Sequence, residues 1–191
     1  MLNIGILALQ GAFLKHKQML DTLKVSNQYV KYSDDLNKCD GLIIPGGEST
    51  TLSKIINKNN LYDSLYEYGR QKYIFGTCAG LIMLSNIKDN HVKPLNILDL
   101  EIQRNAWGSQ INSFNKKIQL NNFKKKYFNG IFIRAPKINK INDKKIKVLS
   151  SLNKKPVLIK YKSILGATFH PELTDDLLIH EYFINMIYEK K

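Results

Sequence analysis

The chain has 191 residues, a formal net charge of +13 and two cysteines. That length suits one domain over 1–191 with a sizeable core, the cysteine count excludes a disulfide framework, and no apolar run approaches the ~20 residues that cross a bilayer. The positive charge admits a nucleic-acid binder, but Arg70, Arg104 and Arg134 are the only arginines and the lysines are scattered, so a solvated surface is expected, with no nucleic acid and no membrane as partner.

In chain order, strand-like apolar runs alternate with helical patterns. Residues 3–9 read as a strand rather than a secretory signal, because no basic region precedes the apolar stretch and Gln10-Gly11 interrupts it. A helical pattern follows at 14–23, then strands at 28–32 and 41–44 and a helix over 52–68. A strand at 73–75 leads into a helix at 79–84. This βαβα rhythm predicts an α/β fold: a single three-layer domain whose central sheet is mostly parallel, with helices on both faces. From about 98 to 165 the character changes to short strands (99–103, 130–133, 147–152 and 156–161) that extend the same sheet in antiparallel fashion. The Lys- and Asn-rich segments 115–126 and 138–147 read as exposed turns and strand edges, and 177–188 as a closing amphipathic helix.

The residues that carry chemistry fall at the carboxyl ends of the parallel strands, where open sheets of this kind form their sites. Cys78 lies in Gly76-Thr77-Cys78-Ala79-Gly80, between a strand and a helix. Glycines at those offsets let the chain pass close by while the central residue takes a strained turn, and the helix N-terminus favours negative charge on the sulfur. A buried packing role is the ordinary fate of an intracellular cysteine, and Cys39, without such a turn, takes that role here. A nucleophile needs a base, and the base needs an orienting group. His170-Pro171-Glu172 supplies both: in extended chain, residues two apart share a side, so Glu172 lies beside the imidazole. His16, His91 and His180 lack a carboxylate at that spacing, and His180 falls on the closing helix, where a surface or packing role is expected. Pro45-Gly46-Gly47-Glu48-Ser49-Thr50 reads as a strand end, a glycine turn and a helix start capped by Ser49 or Thr50. Backbone amides at Gly47 and Ala79 are candidates for an oxyanion hole. The turn fits neither a P-loop nor a dinucleotide fingerprint.

Pro45-Gly46-Gly47, the cysteine turn and His170-Pro171-Glu172, in that order, resemble class I (triad) glutamine amidotransferases. Leu7-Ala8-Leu9-Gln10-Gly11, Gly46 to Thr51, Arg104 to Gln110 and Ile133-Arg134-Ala135-Pro136 narrow the resemblance to the glutaminase subunits of pyridoxal 5'-phosphate synthase, across essentially the whole chain. Trp107 stands where that family has a smaller aromatic, and Ser109 where it often has a basic residue. The resemblance implies a flavodoxin-like fold and glutamine hydrolysis by Cys78, His170 and Glu172. It assigns Gly46, Gly47, Glu48, Arg104, Ile133 and Arg134 to glutamine binding, and the flexible glycine turn at Gly46-Gly47 predicts gating by a partner that docks near Gln10 and Gly11. It further implies delivery of ammonia to a synthase subunit in a hetero-oligomer, with no cofactor and no metal. A reactive thiol suits the reducing cytoplasm. Two other readings share these features: a stand-alone hydrolase with a cysteine nucleophile, such as a γ-glutamyl hydrolase, and a basic nucleic-acid-binding or scaffold protein on the same fold.

Overall fold

Strands that are apolar at consecutive positions are covered on both faces, whereas alternating ones leave a face to water. The computed structural model describes residues 2–106 and 113–189, and the Trp107 and Ser109 departures lie outside that range. The first half runs β1 (Asn3–Leu7), α1 (Phe13–Thr22), β2 (Ser26–Val30), α2 (Ser33–Leu36), β3 (Gly41–Ile44), α3 (Ser49–Lys58), α4 (Tyr62–Gln71), β4 (Tyr73–Thr77) and α5 (Ala79–Leu84). The second half is mostly strand: β5 (Leu100–Gln103), β6 (Ser113–Leu120), β7 (Tyr127–Ile133), β8 (Lys137–Ile141), β9 (Lys147–Leu152), β10 (Lys155–Tyr161) and β11 (Ile164–Ala167). A 3-10 turn (Pro171–Leu173) and α6 (Leu178–Tyr188) close it.

The main sheet has the order β2-β1-β3-β4-β11-β10-β9-β6-β7. From β2 to β11 every pair is parallel, and beyond β11 every pair is antiparallel. Counted along the parallel part, this is the flavodoxin order. Adjacent residues of β3 feed opposite layers. Leu42 and Ile44 pack with Leu52, Ile56, Leu65 and Ile82 from α3, α4 and α5. Ile43 packs with Leu20 of α1 and with Ile179, Phe183 and Ile187 of α6. Three layers result, as expected, and the parallel register brings the ends of β3, β4 and β11 to one edge.

Several local expectations are corrected. The helix expected over 52–68 is two helices, because Asn60 takes a left-handed conformation (φ 54°) that a helix cannot continue through. Residues 99–103 do form a strand, but β5 pairs with β8 in a separate two-stranded sheet. Segments expected to be turns and edges contain most of β6 and all but the first residue of β8. In β6 only Ile118 and Leu120 are buried, so its polar face disguises a well-paired strand. β11 lies between β4 and β10, and its four residues are all buried.

Candidate active site

Cys78 occupies the turn between β4 and α5 with φ 47° and ψ −103°, a conformation that costs a non-glycine residue roughly 1–3 kcal/mol. The fold holds it there: Cys78 N–H donates to the Ala167 carbonyl at 2.8 Å, and the Cys78 carbonyl accepts from Ile82 N–H at 3.1 Å. The glycine requirement read from the sequence has a visible cause at Gly80, where a Cβ would run into the Ile44 carbonyl oxygen of β3. Sγ rests 3.9 Å from the Ile133 carbonyl at the end of β7.

His170 is set by a bond from its own N–H to the Ile131 carbonyl at 2.8 Å. Its Nδ1 lies 2.7 Å from Glu172 Oε1. The pairing is as expected, but its cause is not. Pro171 starts a 3-10 turn, so Glu172 is brought back onto the ring by a tight turn rather than by extended chain. With Nδ1–H donating to the carboxylate, the other ring nitrogen is left for the Cys78 sulfur. Burial pulls the imidazole pKa down, but the hydrogen bonds the protonated ring donates to the Cys78 sulfur and to Glu172, with the charges of those groups, outweigh it and raise the pKa to about 10. These neighbours favour the imidazolium form of His170. A Cβ at Gly46 would meet His170 Cε1 and stand 3.2 Å from Cys78 Cβ, so only glycine lets that turn cross the pair. Burial also works against ionisation of Glu172, but His16 and His170 beside it hold its carboxyl below the usual range.

Cys78, His170, Gly46, Gly47 and Glu48 line one cavity of about 290 Å³ together with Gly11, Arg104, Ile133 and Arg134, whereas Gln10, Ala79 and Glu172 of the predicted set stand outside its lining. Ala79 is buried directly behind Cys78 at the start of α5. Gln10 braces the glycine turn, its Oε1 accepting the Glu48 N–H at 3.1 Å. The Gly46 carbonyl accepts the Ala12 N–H at 3.1 Å.

Glu48, rather than Ser49 or Thr50, caps α3. Its carboxylate accepts from Thr50 N–H at 3.0 Å and Thr51 N–H at 2.6 Å, and also from the Thr50 hydroxyl. Burial opposes the charge, but those donors push its pKa down to about 2. Arg104 spans the mouth: Nε lies 3.0 Å from Asp89 Oδ2, and Nη1 lies 3.1 Å from Ser49 Oγ and 3.9 Å from Glu48 Oε1. Cys39 is buried well away, beside Val30 and Leu42, where burial pushes its thiol up to about 11.

Sequence reasoning missed two members of this neighbourhood. His16 and His180 are buried behind Glu172, which for His180 is the packing alternative of its expected role. His16 is 164 positions from His180, and no local spacing signals that contact.

A flavodoxin-order sheet with a cysteine elbow at its carboxyl edge and a His–Glu pair facing it has the architecture of a class I glutamine amidotransferase. The chain belongs to the SNO glutamine amidotransferase family, which it matches over residues 6–189. It is 45% identical over 184 residues to the pyridoxal 5'-phosphate synthase subunit PdxT of Francisella tularensis subsp. tularensis (strain WY96-3418), covering 96% of this chain and 98% of that protein. The same figures hold for the PdxT of Francisella tularensis subsp. novicida (strain U112). A crystal structure of a glutamine amidotransferase superposes with a TM-score of 0.90 at 35% identity, over 97% of this chain and 98% of its own. A glutamine amidotransferase from Thermotoga maritima, at 12% identity and TM-score 0.62 over 99% of this chain and 85% of its own, shares the fold. No helix among the described residues is long and apolar enough to cross a membrane.

Proposed function

We propose that this chain, one glutaminase domain over 1–191, hydrolyses the side-chain amide of L-glutamine and delivers the ammonia to a pyridoxal 5'-phosphate synthase subunit in a cytoplasmic hetero-oligomer. The observation that carries the mechanism is His170 held between Cys78 and Glu172, with Nδ1 2.7 Å from Oε1. The identity to PdxT supports the product pathway.

In the first half-reaction the Cys78 thiolate attacks the carboxamide carbon, and the carbonyl π electrons move onto oxygen. Backbone N–H groups of Gly47 and Ala79 stabilise that oxyanion. The intermediate collapses with loss of nitrogen, which takes the His170 proton and leaves as ammonia. A glutamyl thioester remains on Cys78. His170, now neutral, removes a proton from water, and the hydroxyl attacks the thioester. The adduct collapses with loss of the Cys78 thiolate, glutamate leaves with its new carboxyl proton passing to solvent, and the thiolate–imidazolium pair is restored. Glu172 stays ionised throughout and stabilises the imidazolium.

Glu48, Arg104, Ile133 and Arg134 hold the amino-acid end of glutamine. A guanidinium suits the α-carboxylate, and the acidic Glu48 suits the ammonium. The glycine turn is tied to the loop at Gln10 to Ala12 by two hydrogen bonds, so a partner docking there redirects the Gly47 amide and switches the oxyanion hole on. The test compares glutaminase turnover of the purified chain alone and with its synthase subunit. A clear rise in turnover on complex formation is expected. Equal turnover in both, with no complex on sedimentation, would favour a stand-alone γ-glutamyl hydrolase. A salt-sensitive gel shift without glutaminase activity would favour a nucleic-acid-binding scaffold.

A further inference from the structure

Two histidines lie behind the site and take no part in the steps above. His16 on α1 and His180 on α6 are both fully buried. His16 Nδ1 and His180 Nε2 stand 2.9 Å apart. The remaining nitrogen of His16 faces Thr77 Oγ1 at 3.3 Å and Glu172 Oε2 at 3.4 Å. Thr77 immediately precedes Cys78, and Glu172 is the carboxylate that orients His170. The edge of Phe75 on β4 packs against both rings, with centroids 6.2 Å and 5.7 Å away.

Burial makes both imidazoles poor bases. For His16 the pull of Glu172 opposes burial without prevailing, and His180 is lowered to about 3. Each ring is therefore neutral at neutral pH and carries one N–H. Where that proton sits follows from what each nitrogen meets. If His16 donated from Nδ1, its bare Nε2 lone pair would face a carboxylate. His180 would then carry its proton on Nδ1, which has no hydrogen-bond partner among the described residues. A buried N–H without an acceptor is costly. The opposite assignment removes both faults. His180 Nε2–H donates to His16 Nδ1, and His16 Nε2–H points at Thr77 and Glu172. On the two rings, what stays unmatched among the described residues is then a lone pair on His180.

Glu172 Oε1 is occupied by His170, whereas Oε2 has no well-formed hydrogen bond among the described residues. At 3.4 Å the His16 N–H acts on Oε2 as an oriented dipole rather than a full bond partner. Near pH 7 His16 is neutral, so its help to Glu172 there is that dipole, and its charge acts on the carboxyl only at lower pH. Given the triad assigned above, we propose that His16, its tautomer fixed by His180, is a positioning residue that holds the Glu172 carboxylate aligned on His170. The triad is thereby extended into a buried chain, His180–His16–Glu172–His170–Cys78. A carboxylate gripped at one oxygen can swing, and a second donor at the other oxygen removes that freedom.

The experiment measures glutaminase kcat and KM, with the synthase subunit present, for Cys78→Ser, Glu172→Ala, His16→Leu, His16→Gln and the Glu172→Ala/His16→Leu double variant. His16→Leu should lower kcat by about tenfold or more while KM stays within about twofold, the range that loss of an orienting partner produces. His16→Gln, whose amide keeps an N–H near the Nε2 position, should recover most of that loss. In the Glu172→Ala background the leucine change should cost less than about twofold further, because the group His16 aligns is gone. A folded His16→Leu with wild-type kcat would overturn the proposal, as would losses that multiply in the double variant. If His16→Leu does not fold, His180→Phe decides in its place: a fall in kcat at unchanged KM supports the chain, and wild-type kcat overturns it. Turnover retained by Cys78→Ser would instead overturn the triad assignment itself.

Discussion

The site contains two carboxylates kept ionised by opposite means. Glu48 stands at the wet mouth with its side chain 44% exposed, and the Thr50 and Thr51 side chains, together with backbone N–H groups at the start of α3, hold its charge. Glu172 stands on the dry floor with none of its side chain exposed, and other side chains hold its charge. Donors supplied by a helix terminus survive almost any sequence change nearby, and water shares the load. Donors supplied by buried imidazoles depend on each residue individually, because an unpaired group there has no solvent to fall back on. The floor should therefore be brittle and the mouth forgiving.

The largest effects test the floor. Cys78→Ala should lower glutamine hydrolysis on the order of 10⁶-fold, with His170→Asn close behind, and Glu172→Gln should be milder at about 10⁴-fold, since it leaves the base in place. Steady-state kinetics with the synthase subunit present measure all three. Cys39→Ala should be nearly normal, and comparable loss there would mean that the wrong cysteine carries the chemistry.

At the mouth, Arg104→Lys should act mainly on substrate binding. Replacing a planar fork by a point charge removes one charge-assisted hydrogen bond and should raise KM on the order of tenfold, with a smaller change in kcat. A large fall in kcat at constant KM would move Arg104 from holding glutamine to the chemical step.

The smallest effects are on stability, and the two regions should show opposite pH signatures. Glu48 is lowered from 4.5 to about 2, so its contribution is present above pH 4.5 and lost as pH falls through about 2. His170 is raised from 6.5 to about 10, so its contribution is complete below pH 6.5 and lost as pH rises through about 10. Melting temperatures of Glu48→Gln and His170→Asn should accordingly converge on wild type at the acid and alkaline ends respectively. Convergence at the same end for both would break the contrast.

The same contrast explains what could be read in the sequence. The Cys78 elbow was legible because its requirement is local: glycines at fixed offsets between a strand and a helix. The His170–Glu172 pair was legible by spacing, although a 3-10 turn rather than extended chain brings it together. The mouth residues came from the family resemblance, and they surround the cavity where the strand ends meet. The contribution of His16 and His180 was invisible, because it arises only when α1 and α6 pack on the same face of the sheet. In β6 and β8, lysines and asparagines on the exposed side masked the strand pattern, since pairing there is secured by neighbouring strands rather than by propensity.

The central claim, that Cys78 attacks glutamine with His170 behind it, is tested most directly by covalent trapping. A glutamine analogue carrying an electrophilic ketone at the side-chain end is incubated with the chain and its synthase subunit, and the modified peptide is identified by mass spectrometry. Modification confined to Cys78, protected by excess glutamine and much slower in His170→Asn, is the expected result. Modification of Cys39, or a Cys78 rate unchanged by His170→Asn, would contradict the account.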